Sequence, residues 1–240
     1  MLTTKKLVFG IYDLGELEIE IDDTKISIER KPRFFIYRRE RKGELVEKKI
    51  LSKSGRIVLN PVEPVNVPKN ITNYLQIKFR KPLIMEPNQS ETLYTTFPVE
   101  IGVFVTGMGG VKLVDVFSFV NPKYSLYGNP VRGLICRFWE SDLTQEQRAE
   151  RFREGIMKLK IVNTTKEWIE VSNAVFNVQL MKIYYDKDTA ATTAEMDIQS
   201  RMVAETKFLA EPLRKGMKKA VEIFSPRKVM ARRFFMEWGV

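Results

Sequence analysis

The chain has no histidine in its 240 residues and only one cysteine, Cys136. Histidine is the side chain that exchanges protons near neutral pH, and it is the commonest metal ligand. Its absence excludes Ser-His-Asp and Cys-His catalytic arrangements and all histidine-containing zinc sites, and one cysteine cannot build a four-cysteine site. We therefore predict no catalytic residue of these kinds, no metal site and no cofactor.

Long apolar runs are also missing. The longest uncharged apolar-rich run, residues 101–111, is far shorter than the roughly 20 residues that cross a bilayer. The N-terminal lysines are not followed by the apolar stretch of a signal peptide. Cys136 lies in an alternating segment, where a lone thiol is expected to be a small buried hydrophobe in a reducing compartment. These features predict a cytoplasmic protein without a transmembrane segment.

The net charge of +10 is unevenly distributed. Residues 30–49 contain nine Lys or Arg and three Glu, and residues 212–240 contain eight Lys or Arg and two Glu. Two positively charged segments on an otherwise near-neutral chain favour an anionic partner. That partner is one of three kinds: nucleic acid, a lipid surface or an acidic protein. A surface of ion-paired charges, as in proteins from hot environments, explains the same composition.

The dominant hydrophobic period is two, which is typical of β-strands with one exposed face. It is clearest in residues 16–28, where Leu and Ile alternate with charged residues on both sides of the Asp22-Asp23 turn. Helical signals predict two short helices, at 144–153 from a capping signature and at 211–224 from apolar spacing. The other predicted strands are 34–39, 45–51, 56–59, 74–79, 83–85, 93–96, 99–105, 111–120, 134–138, 157–162, 168–178, 180–185, 192–209 and 228–238.

These patterns predict a mainly β protein of antiparallel β-sandwich or barrel-like units, with one or two short helices in the C-terminal half. The polar break at residues 86–90 predicts two domains. They are an N-terminal antiparallel β domain, residues 1–88, and a C-terminal β domain with short helices, residues 89–240. A single extended double sandwich is the alternative.

Residues 121–133 combine two prolines, two glycines and two tyrosines between predicted strands, which is typical of a binding loop. Tyrosines in such a loop stack on a ligand, and nearby basic side chains contact its anionic groups. Alternatively, the tyrosines fix the loop to the core. The candidate ligand-binding residues are Lys123, Tyr124, Tyr127, Arg132 and Arg137.

We therefore hypothesise a non-enzymatic binding or assembly module with a basic, aromatic-containing surface for an anionic partner. Glycoside hydrolysis needs two carboxylates and no histidine, so a carboxylate-dependent enzyme acting on a carbohydrate or similar small molecule is an alternative. It would centre on Glu100 or Asp115, and Glu140 and Asp142 are also available. A third alternative is a structural subunit whose apolar C-terminal strand completes a homo-oligomer.

Four stretches carry a resemblance to a known family. They are Phe97-Pro98-Val99-Glu100-Ile101-Gly102-Val103, Asp115-Val116-Phe117, Lys123-Tyr124-Ser125-Leu126-Tyr127-Gly128 and Met236-Glu237-Trp238-Gly239. In this order they resemble an archaeal family known as domain of unknown function 432. The resemblance covers nearly the whole chain and implies an archaeal, intracellular protein of an uncharacterised family. It transfers no activity and no catalytic residue, and the composition agrees with a thermophilic source.

Overall fold

The computed structural model describes residues 5–15, 17–52, 55–224 and 233–240. More than half of these residues lie in strands, and the regular structure is completed by one 3₁₀ turn, Val178–Leu180. The strands are β1 Lys5–Lys6, β2 Gly10–Asp13, β3 Leu17–Ile21, β4 Thr24–Arg30, β5 Phe35–Arg41, β6 Glu44–Ile50, β7 Arg56–Val62, β8 Tyr74–Met85, β9 Ser90–Pro98, β10 Glu100–Gly107, β11 Gly110–Phe117, β12 Tyr124–Tyr127, β13 Leu134–Ser141, β14 Glu154–Asn163, β15 Ile169–Asn177, β16 Tyr184–Tyr185, β17 Ala190–Ile198, β18 Ala204–Leu209, β19 Lys218–Lys219 and β20 Phe234–Met236.

The mainly β class is confirmed, but the prediction of one or two short helices is wrong for the described residues, which contain no α-helix. In the segment 144–153, Thr144 exchanges two backbone hydrogen bonds with Tyr94, at 2.8 and 2.9 Å. Phe152 has a φ of 61°, which is outside the right-handed helical region. Pairing with a neighbouring strand therefore overrides a weak local helix signal.

The second predicted helix, residues 211–224, is also absent. Strand β19 in its middle pairs with β16, and the amide of Ala220 donates to the carbonyl of Ile183 at 2.9 Å. Gly216 has a φ of 93°, a left-handed conformation that interrupts a helix. The predicted closing strand at 228–238 forms as β20, and its residues 228–232 lie outside the described part of the chain.

The described residues form two compact units. The first unit draws on residues 1–60 and 102–116, and the second on residues 61–101 and 117–240. The chain therefore leaves the first unit near the end of β7, re-enters it near the start of β10 and leaves it again near the end of β11. The predicted boundary between residues 88 and 89 concerns independently folding domains, which this division does not test, and it stays a prediction.

In the first unit, one sheet has the strand order β1-β3-β4-β5-β6 and the other the order β11-β10-β7-β2. The meander from β3 to β6 is antiparallel, as its period-two pattern predicts, and β1 joins β3 in parallel. Alternate side chains of the meander are buried, including Ile26 and Ile28 of β4 and Tyr37 of β5. Burial of one face is the main source of stability for such a sheet.

In the second unit, one sheet has the order β12-β13-β8-β15 and the other the order β19-β16-β17-β14-β9, with β18 between β17 and β20. Two strand pairs are parallel, β13 with β8 and β14 with β17, so the sheets are mixed. Each strand order has two ends, so the described strands do not close into the barrel-like alternative. None of the segments that the structure describes offers a helix for crossing a membrane.

Candidate binding surface

Strands β12 and β13 form an antiparallel hairpin at one edge of their sheet. In its register Tyr124 lies opposite Arg137, and Leu126 lies opposite Ile135. Directly paired residues of neighbouring strands point to the same side, so these four side chains share one face of the hairpin. Tyr127 belongs to the opposite face because side chains alternate along a strand.

The structure separates the predicted site residues by burial. Lys123, Tyr124 and Arg132 are exposed, whereas Tyr127 and Arg137 are buried. Lys123 precedes β12 and Arg132 follows it, so the two cations lie at opposite ends of this strand. Neither cation forms an ion pair with a described residue.

The turn that carries Arg132 is built by Asn129. The Asn129 Oδ1 atom accepts from the amides of Val131 and Arg132 at 3.0 and 2.8 Å, and its carbonyl accepts from the amide of Gly133 at 2.7 Å. Asparagine favours such turns because its side chain reaches the backbone two residues ahead. The backbone position of Arg132 is therefore fixed while its side chain stays in solvent.

Three exposed aliphatic side chains near this face were missed in the sequence. Leu126 is 48 % exposed, Ile135 is 53 % exposed and Val131 is 90 % exposed. The spacing of Leu126 from Tyr124 places both on one face, but the sequence does not reveal whether another element covers that face. We name the set Lys123, Tyr124, Leu126, Arg132 and Ile135 the β12–β13 face.

Tyr127 fixes the hairpin to the C-terminal residues. Its hydroxyl donates to the carbonyl of Gly239 at 2.9 Å and accepts from the amide of Trp238 at 3.1 Å. The two rings pack edge to face with centroids 5.6 Å apart. Burial raises the pKa of the Tyr127 hydroxyl, so it remains a neutral donor.

Cys136 lies on the same face of the hairpin as Tyr127. Burial raises the pKa of its thiol to about 12, so the thiol is not a nucleophile near neutral pH.

Arg137 is the largest fully buried side chain and is only 1 % exposed. Its guanidinium lies 5.9 Å from the ring centroid of Tyr124. Its Nε and Nη1 atoms form no hydrogen bond with any residue that the structure describes. Arg137 is therefore buried beneath the exposed side chains of the β12–β13 face, and its role as a ligand-binding residue stays a prediction.

Glu100 is buried and supplies negative charge near Arg137. Its two carboxylate oxygens accept from the amides of Asn66 and Val67, at 2.8 and 3.3 Å. Burial raises the Glu100 pKa to about 7, although the hydrogen bond from Asn66 and the charge of Arg137 oppose that rise. These bonds make Glu100 a support for the connection between β7 and β8.

Asp115, the other centre of the enzyme alternative, is a buried ion-pair partner in the first unit. Its Oδ2 atom accepts from Tyr37 at 2.8 Å and from Arg39 at 2.7 Å, and its Oδ1 atom accepts from the amide of Val116 at 2.9 Å. With both oxygens engaged, this carboxylate joins β5 of one sheet to β11 of the other.

Much of the basic charge is paired within the chain. In the segment 30–49, Arg38 pairs with Glu29 and Glu47, and Arg41 and Lys42 both pair with Asp23. Three of the five described cations of the segment 212–240 are also paired, with Arg214 near Asp186, Lys219 near Glu222 and Arg233 near Glu205. These ion pairs, some between strands and some within turns, neutralise part of the positive charge of the two segments, and the anionic partner stays a prediction.

The two remaining carboxylates of the enzyme alternative line one cleft. Glu140 and Asp142 border a cavity of about 240 Å³ in the second unit, together with Tyr94, Thr96 and Ser141. The Asp142 carboxylate is 3.1 Å from the guanidinium of Arg80. No group of three or more acidic or cysteine side chains with metal-binding geometry occurs in the described ranges.

Two of the four stretches that carry the family resemblance, 123–128 and 236–239, meet in the second unit. The Tyr127 and Gly128 pair packs against Trp238 and Gly239 near the C-terminus. Glu100 and Asp115 each hold buried backbone or side-chain donors in their own unit. No curated protein and no solved structure matches the chain. The model of the family described as protein of unknown function (DUF432) matches residues 8–237, and the chain belongs to that family.

Proposed function

We propose that the protein is a non-enzymatic binding module that takes an acidic, partly apolar protein segment on the β12–β13 face. The observation that carries this proposal is a row of exposed apolar side chains between two cations that form no ion pair with any described residue. Exposed apolar groups rimmed by charge mark interaction surfaces. In this proposal the scaffold is a pair of β-sandwich units located in the cytoplasm.

The strand edge supplies a second part of the argument. The amide of Phe138 donates to the carbonyl of Lys123 at 2.9 Å, which fixes the hydrogen-bonding phase of the hairpin. In that phase the backbone groups of Tyr124 and Leu126 point away from β13. Among the described strands β13 alone pairs with β12, so this edge can accept an added strand.

The chemistry of the face favours a protein segment over nucleic acid. Nucleic-acid surfaces combine cations with several stacking aromatics, and here Tyr124 is the one exposed aromatic side chain among five. Leu126 and Ile135 match alternate apolar side chains of an extended peptide, and Lys123 and Arg132 match its acidic ends.

The test uses the full chain and a short peptide of alternating Glu and Val residues. We expect binding that weakens as salt is added, since rim charges are screened. The double variant Lys123→Ala and Arg132→Ala should lower the affinity about tenfold and reduce the salt dependence. Leu126→Ser should lower the affinity without changing the salt dependence.

A matched control removes two exposed cations elsewhere in the same unit, with Lys166→Ala and Arg148→Ala. Equal losses in this control and in the β12–β13 variant would reduce the effect to net charge. Single-stranded RNA, duplex DNA and phosphatidylserine vesicles are tested in parallel. Tighter binding to one of them than to the peptide would identify that class of ligand, rather than an acidic protein segment, as the partner. Self-association through the same face would favour the homo-oligomer instead.

A carboxylate-dependent enzyme is the second candidate because Glu140 and Asp142 line the same cleft. Hydrolysis of a glycosidic bond needs two carboxyl groups on opposite sides of that bond. The test is a screen of chromogenic glycosides with the parent chain and with Glu140→Gln and Asp142→Asn. Turnover that either variant abolishes would support this function, and absence of turnover in the parent chain would remove it.

A further inference from the structure

Arg137 poses a problem of hydrogen bonding. An arginine carries five N–H donors and is charged at every physiological pH, so its burial is costly unless acceptors surround it. Two of its nitrogens, Nε and Nη1, are buried without an acceptor in the described residues. Native proteins leave few buried polar groups unsatisfied. The acceptor for Arg137 therefore comes from outside the described residues.

Glu100, whose charge interacts with Arg137, does not supply the missing acceptor. Glu100 interacts with Arg137 through its charge, but its own oxygens accept from the amides of Asn66 and Val67. No hydrogen bond or ion pair joins Glu100 to Arg137 in the described structure. A raised Glu100 pKa of about 7 also means that this carboxyl is partly protonated near neutral pH. The positive charge of Arg137 is thus only partly balanced.

One side chain of the β12–β13 face lies against the guanidinium. The Tyr124 ring is 5.9 Å from it, in the range of a cation–π contact, and Tyr124 itself is 37 % exposed. Tyr124 belongs to the edge strand β12, which has one neighbouring strand among those described. A rotation of this partly exposed side chain into solvent is the movement that would let a ligand reach Arg137 from this side.

We propose that Arg137 is a covered oxyanion-binding residue and that Tyr124 is its cover. A carboxylate or a phosphate group displaces the Tyr124 ring and accepts hydrogen bonds from the unpartnered N–H groups of Arg137. Charge-assisted bonds from arginine to such groups are among the strongest in proteins. This inference rests on the proposed function, because it names the chemical group in the partner that the β12–β13 face recognises.

The experiment measures the unfolding temperature of the full chain in rising inorganic phosphate, and separately in rising acetate. Chloride keeps the ionic strength constant. We expect one or both anions to raise the unfolding temperature of the parent chain by about 2–5 °C. Arg137→Met should abolish the rise, and Arg201→Met, the control at an exposed arginine outside the β12–β13 face, should retain it. A response to acetate alone identifies a carboxylate ligand, and a response to phosphate alone identifies a phosphate ligand.

Two results of this experiment would contradict the inference. Equal responses in the parent chain and in Arg137→Met, or no response to either anion, would overturn the inference and leave internal water as the acceptor. Without anions, Arg137→Met should be as stable as the parent chain or more stable, because it replaces an unpartnered buried charge with an apolar side chain of similar length.

If Arg137→Met does not fold, Tyr124→Ala provides a second test. Removing the cover should lower the half-saturating anion concentration several-fold, whereas Ile84→Ala, at an exposed position of β8 in the same sheet, should leave it unchanged. An unchanged value in Tyr124→Ala overturns the inference.

The two proposals can fail separately. A phosphate-induced rise in unfolding temperature that depends on Arg137, without binding of the Glu-Val peptide, would remove the proposed function alone. Peptide binding that is unaffected by Arg137→Met would remove this inference alone.

Discussion

At the scale of single residues, the two buried arginines of the described chain differ in their partners. Arg39 donates to the carboxylate of Asp115, which also accepts from Tyr37. Arg137 has no such acceptor in the described structure. A buried charge with a hydrogen-bonded counterion holds its surroundings in one arrangement, whereas an unpartnered charge stays available to a ligand.

The first prediction concerns Asp115→Asn. The substitution removes the negative charge that Asp115 holds 2.7 Å from the buried Arg39, so it should lower the free energy of unfolding of the first unit by about 3–5 kcal/mol. Urea unfolding of the full chain measures this loss. Glu47→Gln, which removes one partner of the half-exposed Arg38, is the control and should cost less than about 1 kcal/mol. Similar losses in the two variants would contradict the structural role of Asp115.

The second prediction compares two glycines. Gly128 has a φ of 105°, and a Cβ atom there would lie 2.6 Å from the Trp238 ring. Gly43, in the turn between β5 and β6, has a φ of 83° but open space around it. Gly43→Ala should therefore cost about 1–2 kcal/mol from backbone strain alone, and Gly128→Ala should cost a further 1–3 kcal/mol, roughly, from the clash. Thermal unfolding separates these effects, and equal costs would exclude a clash with Trp238.

At the scale of elements, period-two alternation predicted strands correctly, whereas the two helical patterns failed where the segment pairs with a strand that is distant in sequence. The hairpin of β3 and β4 follows from alternation and from the Asp22 turn, whose φ of 48° suits an aspartate. The helical pattern of residues 211–224 failed because β16, more than 30 residues earlier, pairs with its centre. The predicted long strand 192–209 is two strands, β17 and β18, that fold back on each other.

For the candidate site as well, the sequence indicated where the residues lie but not which of them are buried. Its location in the hairpin of β12 and β13 came from the turn-rich composition of residues 121–133. The burial of Tyr127 and Arg137 did not, because it depends on Trp238 and on strands that are distant in sequence. Local composition therefore locates a loop, and packing decides which of its side chains reach solvent.

The third prediction concerns Asn163, which joins two turns of the second unit. Its Nδ2 atom donates to the carbonyls of Glu86 and Glu167, both at 2.9 Å, and its Oδ1 atom accepts from the amide of Thr165 at 3.0 Å. Asn163→Ala leaves these buried groups without partners and should cost about 2–4 kcal/mol. Hydrogen exchange should accelerate in both turns, whereas Asn121→Ala, an exposed control, should change neither. Acceleration in one turn alone would show that Asn163 does not couple them.

At the scale of the whole molecule, two buried carboxyl groups make stability depend on pH. Burial raises the pKa of Glu63 and of Glu100 from about 4.5 to about 7. Glu63 accepts from the amide of Ile223 and lies near Glu222, whose charge raises its pKa further. A group with a raised pKa in the folded state binds more protons there than in the unfolded state. Its stabilising effect is full below pH 4.5 and is lost as the pH rises towards 7.

The fourth prediction follows from this sign. The free energy of unfolding of the second unit should fall between pH 5 and 7, by at most about 3 kcal/mol for each carboxyl group. The double variant Glu63→Gln and Glu100→Gln should remove most of this slope in urea unfolding. Glu195→Gln is the control, because Lys207 lowers the Glu195 pKa and its contribution is lost below pH 4.5 instead. A double variant that kept the slope of the parent chain would show that other groups titrate in this range, and that neither carboxyl group is held protonated by the fold.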